Sequence, residues 1–89
     1  MEIIYTETFE KLFNQLPKRI RQKAIRKIKL FEQNPFLPIL KVEKLYTSLE
    51  NLWSFRIDRS YRIIFTFLKE NKVVFYFIGH HNKIYRFLK

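Results

Sequence analysis

The chain has 89 residues, of which 47% are hydrophobic and 18% aromatic, a composition that excludes a disordered tail and predicts one domain over residues 1–89. Its 18 Lys and Arg against 8 Asp and Glu give a formal charge of +10, which favours a polyanionic partner: nucleic acid first, an acidic protein second, an anionic membrane third. The sequence has no cysteine, no apolar run of membrane-spanning length and no secretory signal, so we expect a cytoplasmic protein without disulfides, thiolate metal sites or a membrane partner.

A short strand and a first helix are predicted at the N-terminal end. Residues Ile3–Tyr5 are apolar and β-prone. Thr6 stands where a helix N-cap belongs, and Glu7 in the first turn suits the helix dipole. The helical spacing that follows is carried by Phe9, Leu12, Phe13 and Leu16. Pro17 ends this helix and can begin the next, because the first residue of a helix needs no N–H.

The second predicted helix runs from about Lys18 to Gln33 and ends before Asn34-Pro35. Its buried stripe consists of Ile20, Ala24, Ile28 and Phe31. The rest of its surface carries the cations Lys18, Arg19, Arg21, Lys23, Arg26, Lys27 and Lys29. Like charges three or four residues apart repel one another within a helix, so local stability does not explain this arrangement. A surface that contacts an anion explains it better than solubility alone.

The hydrophobic period then changes from 3.6 to 2, which predicts antiparallel strands. One strand has a core side made of Trp53, Phe55 and Ile57, and the next has a core side made of Tyr61, Ile63, Phe65 and Phe67. A third strand covers residues 72–79 after a turn at Glu70-Asn71, and Val42–Tyr46 is either an edge strand or irregular. The predicted class is α+β, with a short N-terminal strand, a two-helix hairpin and a mainly antiparallel sheet.

Two arginines face each other in the predicted central hairpin. The core residues of both strands are odd-numbered, so a three-residue connection at 58–60 sets Arg56 opposite Arg62 on the side away from the core. Like charges directly opposite each other are destabilising, so a phosphate bound by both planar donor forks is one explanation. Solvated arginines, or arginines paired with Glu43 or Asp58, are the alternatives.

Further candidates for chemistry are His80, His81 and Glu43. Neighbours on a strand point to opposite faces, so we expect one histidine to face the arginines, where it could move protons near neutral pH. Alternatively, the histidines are surface residues or a strand cap, and Glu43 forms a salt bridge with Lys41 or Lys44. A carboxylate, two cations and an imidazole can cut a phosphodiester, which predicts a small ribonuclease. Metal-site spacing is lacking around the histidines, and neither a metal nor another cofactor is expected.

Four segments, in this order, resemble the RelE/ParE superfamily of bacterial toxins from toxin–antitoxin modules. They are a helix junction, FEKLFNQLPKRI; a segment before the hairpin, KVEKLY; the hairpin, LWSFRIDRSYRIIF; and the C-terminal part, IGHHNKIYRFLK. Within the superfamily the chain is most similar to the YoeB-type and RelE-type messenger-RNA interferases. The resemblance implies the RelE/ParE-like, microbial ribonuclease-type fold over nearly the whole chain.

The resemblance also implies an activity: ribosome-dependent, metal-independent cleavage of mRNA, which inhibits translation and leaves a 2′,3′-cyclic phosphate. Glu43, Arg62 and His80 match the catalytic positions of the YoeB-like enzymes in order and spacing. Arg56 matches a second arginine that supports the transition state. These matches assign Glu43 as the base (with His81 as the alternative), the two arginines as charge stabilisers and His80 as the acid.

The C-terminal part departs from the YoeB-like pattern, because the chain continues past the histidines with NKIYRFLK. This tail resembles RelE-type members. Tyr85 matches their late catalytic tyrosine, whereas His81 replaces the arginine of their tail. Without the resemblance, the sequence predicts only that Tyr85 packs in the core and that Arg86 is a charged residue at the edge of the core.

The implied partners are the ribosome, mRNA and a cognate antitoxin with an acidic amphipathic segment. The cations of the second helix, together with Lys41 and Lys44, would hold ribosomal RNA through salt-sensitive phosphate contacts. Two other functions stay open: a ParE-like DNA gyrase inhibitor without nuclease activity, and an inert nucleic-acid-binding module. Glu43 and His80 discriminate between them and the nuclease, because only the nuclease needs an acid and a base.

Overall fold

A computed structural model of the chain describes residues 1–46 and 51–88. The elements follow in the order β1 (Glu2–Tyr5), α1 (Glu7–Asn14), α2 (Lys18–Gln33), a 3₁₀ turn (Pro38–Leu40), β2 (Glu43–Lys44), β3 (Trp53–Arg56), β4 (Tyr61–Leu68), β5 (Lys72–His80), α3 (His81–Ile84) and a second 3₁₀ turn (Tyr85–Leu88). The predicted α+β class and its order of strand, two helices and sheet are confirmed. None of the helices in this described part of the chain is long and apolar enough to cross a membrane.

Thr6 begins α1 as the sequence predicts. Its hydroxyl oxygen accepts a hydrogen bond from the Phe9 amide at 3.0 Å, which satisfies one of the free N–H groups of the first turn. The same hydroxyl lies 3.1 Å from the Phe75 carbonyl and donates to it. One side chain therefore caps the helix and ties it to the sheet. Pro17 separates α1 from α2, also as predicted.

The strands form one five-stranded sheet in the order β1-β5-β4-β3-β2. Three neighbouring pairs are antiparallel, in agreement with the predicted meander. The pairing of β1 with β5 is parallel, with Tyr5 opposite Phe75. The sequence does not predict this contact, because the two strands are separated by most of the chain.

An irregularity in β5 decides which side chains lie on each side of the sheet. Ile64 pairs with Phe77 but its neighbour Phe65 pairs with Phe75, so β5 has one extra residue, Tyr76, at this point. Such a bulge shifts the alternation of the strand by one. Beyond the bulge the even-numbered residue Ile78 joins the core on the helix side.

The main core lies between the sheet and the two long helices. Phe31 of α2 is at its centre and is fully buried. Its ring stacks on Phe55 at 4.7 Å between centroids and meets Phe65 and Phe75 edge-on at 5.0 and 5.5 Å. Aromatic pairs in these geometries add to the stabilisation that buried area gives. This cluster holds the sheet at the register that positions the polar residues on its other side.

Replacing Phe31 with alanine is expected to lower the free energy of unfolding by about 3–5 kcal/mol, because the cavity left among three rings cannot close. Urea unfolding followed by Trp53 fluorescence measures the change. Phe36→Ala is the matched control, since that residue is 62% exposed and, among the described residues, its ring stacks on Phe67. We expect it to cost about 1 kcal/mol or less. Equal losses in the two variants would contradict this assignment of the core.

The C-terminal part of the chain covers the other side of the sheet. A second apolar cluster forms there from Leu52, Ile64 and Ile84, with Tyr85 half-buried against it. Ile84 approaches Gly79, where a Cβ would stand 3.9 Å from that of Ile84. The helix α3 was not predicted; it begins with His81 at the turn of the central hairpin and is followed by Tyr85, which packs against the second cluster.

Candidate active site

Arg56 and Arg62 are directly paired across β3 and β4, as the parity of the core residues predicts. The three-residue connection is also confirmed, because the Ile57 amide donates to the Tyr61 carbonyl at 3.0 Å. We call the side of the sheet that carries these two arginines the arginine face. It lies opposite the side covered by α1 and α2.

Arg62 is a largely buried cation, with 8% of the residue exposed. Its Nη1 donates to three carbonyl oxygens: Asp58 at 2.9 Å, Arg59 at 3.0 Å and Tyr61 at 3.1 Å. No buried side-chain nitrogen in the described part of the chain lacks a partner. The other guanidinium nitrogens, which make no recorded hydrogen bond, therefore reach solvent. The fork is fixed at one end and open at the other, as an anion site requires.

Asp58 does not pair with either arginine through its carboxylate, so that alternative is wrong. The Oδ1 atom accepts hydrogen bonds from the amides of Ser60 at 2.8 Å and Tyr61 at 2.9 Å, and Oδ2 lies 3.4 Å from Nζ of Lys23 in α2. Burial alone would raise the pKa of the Asp58 carboxyl, but the amide hydrogen bonds and Lys23 outweigh it and lower the pKa. The stabilisation is present above the unfolded pKa of about 4 and is lost as pH falls through the folded value.

His80 lies on the side of the sheet opposite the arginine face. It pairs with Tyr61, its ring meets the Tyr61 ring at 5.4 Å, and it lines a cavity of about 240 Å³ beside Leu12 of α1 and Leu16 of the connection to α2. Its Nδ1 accepts from the Asn82 amide at 3.2 Å and so caps α3. Of the two histidines, His80 therefore does not face the arginines, because the bulge at Tyr76 shifts the alternation of β5 by one residue.

His81 is the imidazole held at the same turn as Arg62. Its amide donates to the Ser60 carbonyl at 2.7 Å, and its Nδ1 lies 3.1 Å from the same oxygen. A carbonyl only accepts, so we assign the proton to Nδ1, which leaves Nε2 available. Arg62 and His81 are thus held by carbonyl groups of consecutive residues. The His80 and His81 rings stack at 4.8 Å.

Glu43 lies on the arginine face at the outer strand. It pairs with Ser54, two residues before Arg56 on the neighbouring strand, and residues two apart share a face. Its side chain is exposed. The alternative of a salt bridge with Lys41 or Lys44 is not found within residues 1–46 and 51–88, where the recorded ion pairs are elsewhere. The carboxylate is free to act on a ligand.

The cations of α2 are not equivalent. Those whose side chains make contacts are Arg21, which donates to the Leu16 carbonyl, and Lys23, which pairs with Asp58. The exposed ones are Lys18, Arg19, Arg26 and Lys29, and Lys41 and Lys44 are exposed as well. A recess of about 210 Å³ beside the hairpin turn is lined by Lys23, Arg26, Lys27, Ile57 and Asp58. The basic surface of α2 therefore reaches the turn that holds Arg62 and His81.

The sequence interpretation missed the hairpin turn (residues 58–60) as part of the site. An acidic residue two positions before a serine and at the end of a strand is a signal for a turn closed by an Asp side chain. That signal is present in Asp58-Arg59-Ser60. Within the residues that the structure describes, no three His, Asp or Glu side chains form a group that could bind a metal ion.

Two helices cover one side of the sheet, an arginine pair and a carboxylate lie on the other, and an imidazole is held at the hairpin turn, which defines a small α+β domain with a candidate anion-binding site. The model of one family, described as YoeB-like toxin of bacterial type II toxin-antitoxin system, matches residues 6–82. The chain belongs to this family and is a toxin of the type II toxin–antitoxin kind. None of the curated proteins matches the sequence significantly.

Solved structures share the fold at low sequence identity. YafQ from E. coli strain BL21(DE3) is 19% identical with a TM-score of 0.78, covering 94% of this chain and 97% of its own. The YoeB dimer from Staphylococcus aureus is 25% identical with a TM-score of 0.70, covering 91% and 97%. The archaeal RelE-RelB complex from Pyrococcus horikoshii OT3 is 17% identical with a TM-score of 0.74, covering 92% and 96%. The similarity extends over nearly the whole of each chain.

Proposed function

We propose that this toxin is a ribosome-dependent, metal-independent endoribonuclease that cleaves mRNA and so inhibits translation. The observation that carries the proposal is the fork of Arg62, fixed by three backbone carbonyls and open to solvent, with His81 held on the same turn. Family membership supports the same activity. A site that binds a phosphodiester and provides an imidazole has the parts that RNA cleavage needs.

The proposed reaction is attack by the RNA 2′-hydroxyl on the adjacent phosphate. Glu43 removes the proton of the 2′-hydroxyl as the O2′–P bond forms. Arg56 and Arg62 stabilise the charge that develops on the phosphate oxygens. The P–O5′ bond breaks, and His81 acts as the acid in its imidazolium form: Nδ1–H stays donated to the Ser60 carbonyl while Nε2 gives its proton to the leaving oxygen. The products are a 2′,3′-cyclic phosphate and a free 5′-hydroxyl.

The role of general acid moves from His80 to His81, and the role of Tyr85 stays a proposal. We assign the acid to His81 because His80 lies on the far side of the sheet, paired with Tyr61. Tyr85 packs against the cluster that contains Ile64. It is proposed to support the leaving group or a base of the RNA from that position.

The activity is tested by mixing the purified protein with ribosomes programmed with mRNA and mapping the RNA ends. We expect cuts in the ribosome-bound message, upstream fragments ending in a cyclic phosphate, and little cleavage of free mRNA. A DNA gyrase supercoiling assay run in parallel tests the alternative target. Intact mRNA together with inhibited gyrase would contradict the proposal and identify the protein as a DNA gyrase inhibitor. Intact mRNA and active gyrase would leave a binding module.

The exposed cations of α2 are proposed to hold ribosomal RNA. We expect the double variant Arg26→Gln/Lys29→Gln to bind ribosomes more weakly and to reduce the slope of log affinity against log salt by about one unit or more. Lys11→Gln/Lys69→Gln removes the same charge from exposed positions elsewhere and is the matched control. Equal slopes in the two variants would show that binding depends on net charge and not on α2.

The proposed protein partner is a cognate antitoxin with an acidic amphipathic segment. The fold is shared with a toxin solved in a RelE-RelB complex. The formal charge of +10 favours an acidic partner. A groove of about 400 Å³ between β1, α1 and α2, lined mainly by Tyr5, Phe9, Phe13, Ile25 and Ile28, could accept its apolar side chains.

A further inference from the structure

The hairpin turn is closed by a single side chain. Oδ1 of Asp58 accepts hydrogen bonds from both the Ser60 amide at 2.8 Å and the Tyr61 amide at 2.9 Å. Both amides lie at the turn end of the central hairpin. A carboxylate that accepts two backbone N–H groups fixes the conformation of the residues between them.

The carbonyl groups of this turn hold both groups that the proposed reaction needs. Asp58 and Arg59 direct their oxygens to Nη1 of Arg62, at 2.9 and 3.0 Å. Ser60 directs its oxygen to the amide and to Nδ1 of His81, at 2.7 and 3.1 Å. The amide planes that carry these oxygens lie in the segment closed by the Asp58 carboxylate. A change in the turn would therefore move both functional groups together.

The same carboxylate also reaches α2. Its Oδ2 lies 3.4 Å from Nζ of Lys23, and these two side chains are 24% and 34% exposed. Partly exposed pairs contribute little to stability. The two amide hydrogen bonds and the ion pair are therefore separate functions of one side chain, and substitutions can distinguish them.

We propose that Asp58 is a positioning residue: by closing the hairpin turn it holds the Arg62 guanidinium and the His81 imidazole in one geometry. The proposal rests on the proposed nuclease function for its catalytic consequence, but not for the geometry itself. Displacement of catalytic groups by about 1 Å can lower a rate by about 10²-fold. Asp58 touches neither the phosphate nor the 2′-hydroxyl in this scheme and acts through the backbone.

The test compares four variants. Asp58→Ala removes the acceptor and the charge, and we expect kcat for ribosome-bound mRNA to fall about 10²-fold with KM changed by about three-fold or less. Asp58→Asn keeps an oxygen acceptor but loses the charge, and should retain kcat within about three-fold. Lys23→Met removes the ion pair, but Lys23 is also one of the cations predicted to bind RNA, so this variant is compared with Asp58→Asn through the exchange protection of His81 and not through kcat. Glu2→Ala, which removes the exposed pair with Lys72, is the control for a lost ion pair.

A second readout is independent of cleavage. In ¹⁵N-labelled protein, the Nδ1–H of His81 and the Nη1–H groups of Arg62 should be protected from exchange in wild type and in Asp58→Asn, and should lose protection in Asp58→Ala. If wild-type protein cuts no RNA, the proposed function is contradicted. The exchange protection of the His81 and Arg62 N–H groups then tests by itself whether Asp58 positions them. Unchanged signals in Asp58→Ala would overturn the positioning proposal.

Two kinetic results would also overturn the proposal. One is an Asp58→Ala variant with the wild-type kcat. The other is an Asp58→Asn variant as slow as Asp58→Ala, which would assign the effect to charge and not to the turn. If Asp58→Ala does not fold, Asp58→Ser takes its place, because the shorter hydroxyl is a weaker acceptor for the same amides. Its kcat and its His81 signal should then lie between those of wild type and the inactive Arg62→Ala protein.

Discussion

Arg62→Ala is expected to lower the rate of mRNA cleavage by about 10²–10³-fold, the loss typical of removing a group that stabilises charge in a transition state. The variant loses the fork that would bind the phosphate, and it also removes the side-chain donor of the Asp58 and Arg59 carbonyls, whereas the Tyr61 carbonyl still accepts from the Ile57 amide. The free energy of unfolding should therefore fall by about 1–3 kcal/mol. Single-turnover cleavage on programmed ribosomes and urea unfolding measure the two effects separately.

Two controls separate charge, geometry and surface effects at this position. Arg62→Lys keeps the charge, but one ammonium group cannot both hold the turn carbonyls and reach a phosphate, so we expect at least about a ten-fold loss. Arg59→Ala removes an exposed cation of the same turn and should leave kcat within about three-fold. An Arg62→Ala protein that folds and cleaves at the wild-type rate would remove Arg62 from the mechanism.

Local rules explain why much of the fold was predictable from the sequence. Thr6 and Pro17 mark helix boundaries through single-residue chemistry, namely a hydroxyl acceptor and a missing N–H. The Arg56–Arg62 pairing follows from the two-residue alternation of strands joined by a short connection. Each of these inferences uses residues that are close in the chain, where geometry leaves few alternatives.

The features that the sequence did not predict depend on contacts between distant residues. The parallel pairing of β1 with β5 joins the two ends of the chain. The bulge at Tyr76 inserts a residue into a strand whose letters, VVFYFI, are apolar at every position and therefore carry no alternation that reveals it. Because that bulge precedes both histidines, alternation along the strand could not decide which of them faces the arginines, and the resemblance assigned the acid to His80, which lies on the helix side.

The same bulge shows how the site depends on the fold. The extra residue directs Ile78 and His80 to the helix side, where His80 packs beside Tyr61 and caps α3. Since α3 then begins directly at His81, the backbone of this residue turns towards Ser60. The two adjacent histidines consequently have different environments: His80 lies beside α1, and His81 lies at the Ser60 carbonyl.

Replacing His81 by alanine should lower kcat by about 10²–10⁴-fold, the usual effect of losing a general acid or base. His80→Ala should keep kcat within about three-fold and affect mainly the start of α3, because its Nδ1 accepts from the Asn82 amide. His81→Gln is the closest matched variant, since its amide can still donate to the Ser60 carbonyl but cannot transfer a proton. Growth arrest on expression and single-turnover cleavage on programmed ribosomes measure the outcome.

The opposite ranking of the two histidine variants would contradict the assignment of His81 as the acid. Loss of cleavage in His80→Ala, with activity kept in His81→Ala, would return the acid to the position that matches the YoeB-like pattern. It would also require the His80 ring to leave Tyr61 and its stack on His81 when RNA binds. Activity that survives in His81→Gln but not in His81→Ala would instead assign His81 to the hydrogen bond with Ser60 alone, and the proton on the leaving oxygen would then have to come from Tyr85 or water.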